Sequence, residues 1–191
     1  LLTSVASAAS IRSSSGLQAL YGFNEGRGNV VHDISGVGKP VNLKISKPDN
    51  VQWKNGSLEI TQDTQIRSDS PAYKLNESIR RSGEITIEAW IQPENLEQKG
   101  PARIVTLSRN GTERNFTLGQ EGSKYDVRLR TLTTGGNGIP STTTKKASVT
   151  TELTHVAYTR ARSGRARLYI NGEKKSEKTV GGSTYNWHGQ F

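Results

Sequence analysis

The chain has 191 residues, no cysteine and no methionine, and 26 Lys and Arg against 17 Asp and Glu, for a formal net charge of +9. The absence of cysteine excludes disulfides and thiolate metal sites, and no stretch approaches the roughly 20 apolar residues of a membrane-spanning helix. An apolar fraction of 31% with a mean hydropathy of -0.65 argues against a large helical core and suits a two-sheet fold with polar outer faces and long loops. The length suits one domain, and the positive charge favours acidic polymers as partners.

Leu1 to Ser10 are small and weakly apolar, and Ala6-Ser7-Ala8 has the pattern of a secretory cleavage site. Residues 1–15 read as a linker or signal remnant and 16–191 as the folded domain. With no Met at position 1, the expectation is a processed chain or a fragment.

Gly16 to Phe23 alternates, with Leu17, Ala19, Tyr21 and Phe23 on one side, and reads as a strand. A glycine-punctuated turn, 24–29, leads into Val30-Val31-His32-Asp33. Val41 to Ile45 alternates again. Asn55-Gly56, Asn110-Gly111 and Asn171-Gly172 each lie between strand-like runs, as expected of hairpin turns whose twist matches antiparallel strands. Ser163-Gly164 reads as a further reversal. Tyr73 to Arg81 carries Leu75 and Ile79 four apart and stops at Gly83, the pattern of one short helix.

The clearest element is Gly83 to Pro93. Ile85, Ile87, Ala89 and Ile91 alternate with Glu84, Thr86, Glu88 and Trp90, the period of a β-strand. It reads as a central strand covered on both sides, with Trp90, like Trp53, in the core. Gly135 to Lys146 is a long polar loop, a length that is uncommon without a function. The fold expected is an all-β, two-sheet antiparallel sandwich with one short helix before its central strand.

Four stretches together resemble the concanavalin A-like, laminin-G-like jelly-roll family. They are Ala19–Gly26 with His32–Gly36; Ile85–Pro93; Phe116–Gly119; and Thr154–Tyr158 leading to Leu168–Gly172. The resemblance spans roughly residues 17–180. It departs at Leu153, where many members carry Trp. Members also end on one or two closing strands, which have no counterpart before Phe191. The expectation is a segment of a longer polypeptide, or completion by a partner's strand.

The resemblance implies an exported, extracellular or periplasmic binding module rather than an enzyme. Laminarinase-type relatives use Glu-x-Asp-x-Glu on one strand, whereas Glu84-Ile85-Thr86-Ile87-Glu88 has Thr86 in place of the acid. No nucleophile elbow or phosphate loop is present. His32, His155 and His188 are too dispersed for a zinc motif. The resemblance also implies one structural calcium ion, for which Glu25 and Asp33, bracketing the glycine-rich turn, are the local candidates.

A sugar site needs aromatic faces and converging polar groups; Tyr125, Tyr185, Trp187 and Asn137 are candidates. For an acidic polymer, Arg128 and Arg130 share one face of a strand while Val127 and Leu129 take the other, and guanidinium groups grip sulfate or carboxylate. Arg160, Arg162, Arg165 and Arg167 concentrate charge around Ser163-Gly164. Nucleic acid is disfavoured, because aromatic residues are not interleaved with the arginines. The function expected is recognition of carbohydrate or an acidic cell-surface polymer; the alternative is a protein-interaction domain of a larger complex.

Overall fold

The computed structural model describes residues 13–190. The Ala6-Ser7-Ala8 stretch and most of the expected leader or linker lie outside them. The chain divides into two compact units, Leu1–Asp69 and Ser70–Phe191.

In the first unit, β1 (Val30–Val31), β2 (Leu43–Ile45) and β5 (Ile66–Arg67) form a small antiparallel sheet in the order β1-β2-β5, and β3 (Val51–Lys54) with β4 (Ser57–Ile60) forms a hairpin across Asn55-Gly56. Val31, Ile45 and Val51 are the buried centre, and Tyr21, Phe23, Trp53 and Leu58 pack against them. Trp53 is half-buried, and its indole N–H donates to Gly28 O at 3.0 Å.

Gly16 to Phe23 is not a strand. Its apolar alternation does bury Tyr21 and Phe23 on this core, but no ladder accompanies it. Ile34 N donates to Leu20 O at 2.8 Å, whereas Leu20 N is taken by the Asp33 carboxylate at 3.2 Å. Phe23 then turns into a positive φ of 52°.

The second unit opens with α1 (Tyr73–Ser82), which ends on Gly83 in the left-handed conformation at φ 69°. An L side chain resists that φ, and glycine does not. Two four-stranded antiparallel sheets follow. One has the order β10-β9-β8-β7, built from β7 (Ala102–Ser108), β8 (Arg114–Glu121), β9 (Lys124–Leu129) and β10 (Thr142–Thr143). The other has the order β13-β12-β11-β6, built from β6 (Ile85–Ile91), β11 (Thr154–Arg160), β12 (Arg165–Ile170) and β13 (Glu173–Thr179).

These sheets are the layers of a jelly-roll sandwich. Period two sorts their residues: Ile85, Ile87, Val156, Tyr158, Leu168 and Ile170 are buried on one, and Leu107, Phe116, Leu118, Val127 and Leu129 on the other. The Asn-Gly and Ser163-Gly164 reversals all join antiparallel neighbours. Only Asn171-Gly172 has both residues at positive φ, 50° and 81°, as a type I′ turn requires.

The expectation for β6 is corrected in one respect. Among the described residues it pairs only with β11, so it is an edge strand rather than a central one. The face of β6 turned away from the aliphatic core is also open, and Trp90, expected in the core, is 63% exposed. The inward positions go to the aliphatic residues of the alternation, which leaves the indole on the other side.

Arg160 is also not part of a basic surface. It is buried, and its guanidinium donates to Val180 O, Gly83 O and Gly182 O at 3.0, 2.5 and 2.7 Å. One side chain thus binds the end of the helix cap to the segment after β13.

Candidate functional site

The face of the β7–β10 sheet opposite the aliphatic core is polar, and register explains how it is built. Arg103, Gly119 and Asp126 lie side by side on β7, β8 and β9. In the next row Thr106, Thr117 and Arg128 align in the same way. Thr106 and Thr117 share a hydroxyl hydrogen bond of 2.7 Å. Gly119 has no room for a side chain, because an added Cβ would meet Ala102 O at 2.6 Å and Pro101 Cβ at 2.7 Å; the chain entering β7 crosses there.

Arg128 donates from Nε to the buried Asp126 Oδ2 at 2.9 Å. Its Nη1 reaches Asn137 Oδ1 at 3.4 Å, so the long loop after β9 supplies a third member. Arg114 enters from a register shift between Leu107 and Ser108, an irregularity that re-aims a side chain. It is 2% exposed, donates from Nη1 to Thr117 Oγ1 at 3.2 Å and from Nη2 to Gly111 O, and its Nε is buried with no partner. Arg103 is exposed and donates to Asn110 O at 2.8 Å.

Burial, and then the like charges of Arg128 and Arg103, hold the Arg114 guanidinium below its ordinary pKa, while Asp126 acts in the opposite sense. Around Arg114, two like-charged guanidinium groups thus stand against a single buried carboxylate of opposite sign. The local excess of positive charge suits an anionic group at the rim, where Arg103 is open and Arg128 partly so.

The other expected site residues scatter. Arg130 lies just past β9 and half-buried, and its Nε has no partner; its carbonyl accepts the Trp187 indole N–H at 2.7 Å. Trp187 is 3% exposed and packs on Phe116, 6.0 Å between ring centroids. Tyr125 is fully buried. Both rings are core elements rather than surface platforms: Tyr125 takes an inward position of β9, and Trp187, outside any strand, is held by its indole hydrogen bond and by Phe116. Tyr185 is 71% exposed and lies under the Arg80 guanidinium at 4.9 Å, not beside Arg128 and Asn137. Glu84 accepts from Arg162 N at 3.3 Å while Glu88 pairs with His155 at 3.1 Å, so the two glutamates serve separate partners.

The calcium candidates do not form a cage. Asp33 accepts backbone N–H groups from Leu20, Ser35 and Val41 at 3.2, 3.0 and 3.0 Å, which makes it the organiser of the turn. Glu25 Oε1 accepts from His32 N at 2.8 Å, and Oε2 is buried without a partner. Among the described residues no group of three or more His, Asp or Glu side chains converges on a point that a metal ion would occupy.

Sequence reasoning reached Arg128 and Asn137 but missed Arg103 and Arg114. Arg103 is legible only once the β7–β8 register is known, and Arg114 only once the bulge is. A two-layer antiparallel sandwich of this kind is the fold of lectin-like binding modules. The chain belongs to the Laminin_G_3 family of the concanavalin A-like lectin/glucanases superfamily, whose family model matches residues 67–191. The match begins after the Ala19–Gly36 stretch that also resembles the family. No curated protein and no solved structure matches the chain. No described helix is long and apolar enough to cross a membrane.

Proposed function

We propose that this protein is an exported, non-enzymatic module that binds an acidic polysaccharide through the polar face of the β7–β10 sheet. The observation that carries the reading is the clustering of Arg103, Arg114 and Arg128 on one sheet face, where Arg128 holds the buried Asp126 at 2.9 Å. One carboxylate does not neutralise three guanidinium groups, and an incoming sulfate or uronate supplies what is missing. Arg114 and the Arg128–Asp126 pair position the rim. Arg103, Arg128 and Asn137 make the contacts.

The test is affinity for a sulfated and a uronate polysaccharide at low and high salt. Arg103→Gln removes an exposed charge without stranding a buried one. We expect affinity to fall steeply with salt and to drop about tenfold, or about 1.4 kcal/mol, in this variant at low salt. Equal affinity of wild type and variant would overturn the reading.

A further inference from the structure

We propose that the outward face of β6, β11 and β12 is a second and separate site, for a neutral sugar ring stacked on Trp90. Register places Trp90 directly opposite His155. The two rings are 4.9 Å apart at an interplanar angle of 36°. His155 Nε2 lies 3.1 Å from Glu88 Oε1, so the imidazole that braces the indole is itself oriented. Its backbone is pinned as well: His155 N donates to Asn171 Oδ1 at 2.9 Å, and Asn171 N to His155 O at 2.8 Å. The platform is therefore fixed before any ligand arrives, which lowers the ordering cost of binding.

The neighbouring positions combine one small side chain with polar ones. On β11 the outward residues are His155, Ala157 and Thr159, and Ala157 stands opposite Glu88 on one side and Tyr169 on the other. A methyl group thus stands between two longer side chains beside the indole. The flanking positions carry a carboxylate, a phenol and, one row on, Thr86 opposite Thr159.

The occupant follows from size and polarity. Trp90 is 63% exposed and Leu153, two residues before His155, is 60% exposed. One indole and one leucine amid polar side chains fall well short of the roughly 800 Å² per partner of a stable protein interface. They match one apolar face of a pyranose, whose hydroxyls then meet the polar neighbours. The arginine face is made for charge; on this one the Glu88 carboxylate is already engaged by His155, and the platform takes an uncharged ring.

Acrylamide quenching of the intact protein tests this directly, because Trp187 is buried and Trp53 half-buried, so the exposed Trp90 dominates the signal. The probes are neutral hexasaccharides of β-linked glucose, mannose and N-acetylglucosamine, at about 0.5 M salt, where screening removes binding through the arginines. We expect at least one to lower the quenching slope about twofold, in Arg103→Gln as in wild type, with the effect lost in Trp90→Ala and weakened in Trp90→Phe. No protection by any of the three would overturn the proposal. Protection that survives Trp90→Ala, or self-association that Trp90→Ala abolishes, would also overturn it. Failure here leaves the salt-sensitive binding of Arg103 untouched, so the two readings fail separately.

Discussion

The side-chain amides of Asn76 and Asn115 meet inside the second unit, with Asn115 Nδ2 donating to Asn76 Oδ1 at 2.7 Å. Asn115 also donates to His188 O at 3.0 Å and accepts from His188 N at 2.9 Å. One side chain thus joins helix α1, strand β8 and the C-terminal segment. Removing it strands buried partners, at about 1–3 kcal/mol. Asn115→Ala should lower the melting temperature by several degrees, measured by circular dichroism.

That contact also sorts the Asn-x-Ser/Thr sequons, which lie at Asn55, Asn76, Asn110 and Asn115. Asn76 and Asn115 are 1% and 0% exposed, whereas Asn55 and Asn110 are exposed in hairpin loops. Expressed in a host that glycosylates, folded protein should carry glycan at Asn55 or Asn110 only. Peptide mapping by mass spectrometry checks this.

Arg160 is the internal staple of the β11 end. Arg160→Lys keeps the charge but not the planar fork that reaches three carbonyls, so it should recover only part of the stability lost in Arg160→Ala. Equal melting temperatures for wild type and Arg160→Lys would show that charge alone is what the site needs.

Two groups give opposite pH signatures. Hydrogen bonds from Lys174 and then Arg167 hold the Glu177 carboxyl down at about 2. Its folded pKa is depressed, so its contribution is present above the ordinary value of 4.5 and is lost as pH falls toward about 2. The site is exposed, so added salt should raise the Glu177 value toward 4.5 in a carboxyl-detected titration. Burial pushes the Tyr158 phenol up to about 12. Its folded pKa is raised, so that contribution is intact below pH 10 and is lost as pH rises through about 12. Ultraviolet titration should show Tyr158 ionising late.

Much of the fold was legible because its signals are local. Gly83 stops the helix through a φ that L residues resist, and the Asn-Gly pairs sit in hairpins because short reversals favour them. The resemblance across Ile85–Pro93 and Thr154–Gly172 carried the sandwich. What stayed hidden depends on non-local pairing. Period two separates the faces of β6 but does not say whether the face carrying Trp90 is covered, and it is open. Trp187 was the reverse: in a glycine-flanked tail it looks available, yet its indole N–H finds Arg130 O and its ring finds Phe116. Arg114 reaches Thr117 through a bulge that no spacing announces.

Losing Arg128 should cost more than losing Arg103. Arg128→Ala removes the hydrogen-bonded ion-pair partner of the buried Asp126, a change of about 3 kcal/mol, whereas Arg103 is exposed. Arg128→Ala with Asp126→Asn should recover part of that stability, which a double-mutant cycle measures.

The central claim is that the guanidinium cluster of the β7–β10 sheet face recognises an acidic polysaccharide. The most direct measurement is the salt dependence of binding to a sulfated polysaccharide for wild type and Arg103→Gln, by titration calorimetry. Binding should be tight at low salt and weaken steeply as salt rises, with a weaker and shallower dependence in the variant. Binding that is absent at low salt, or that is the same in both proteins at every salt concentration, would contradict it.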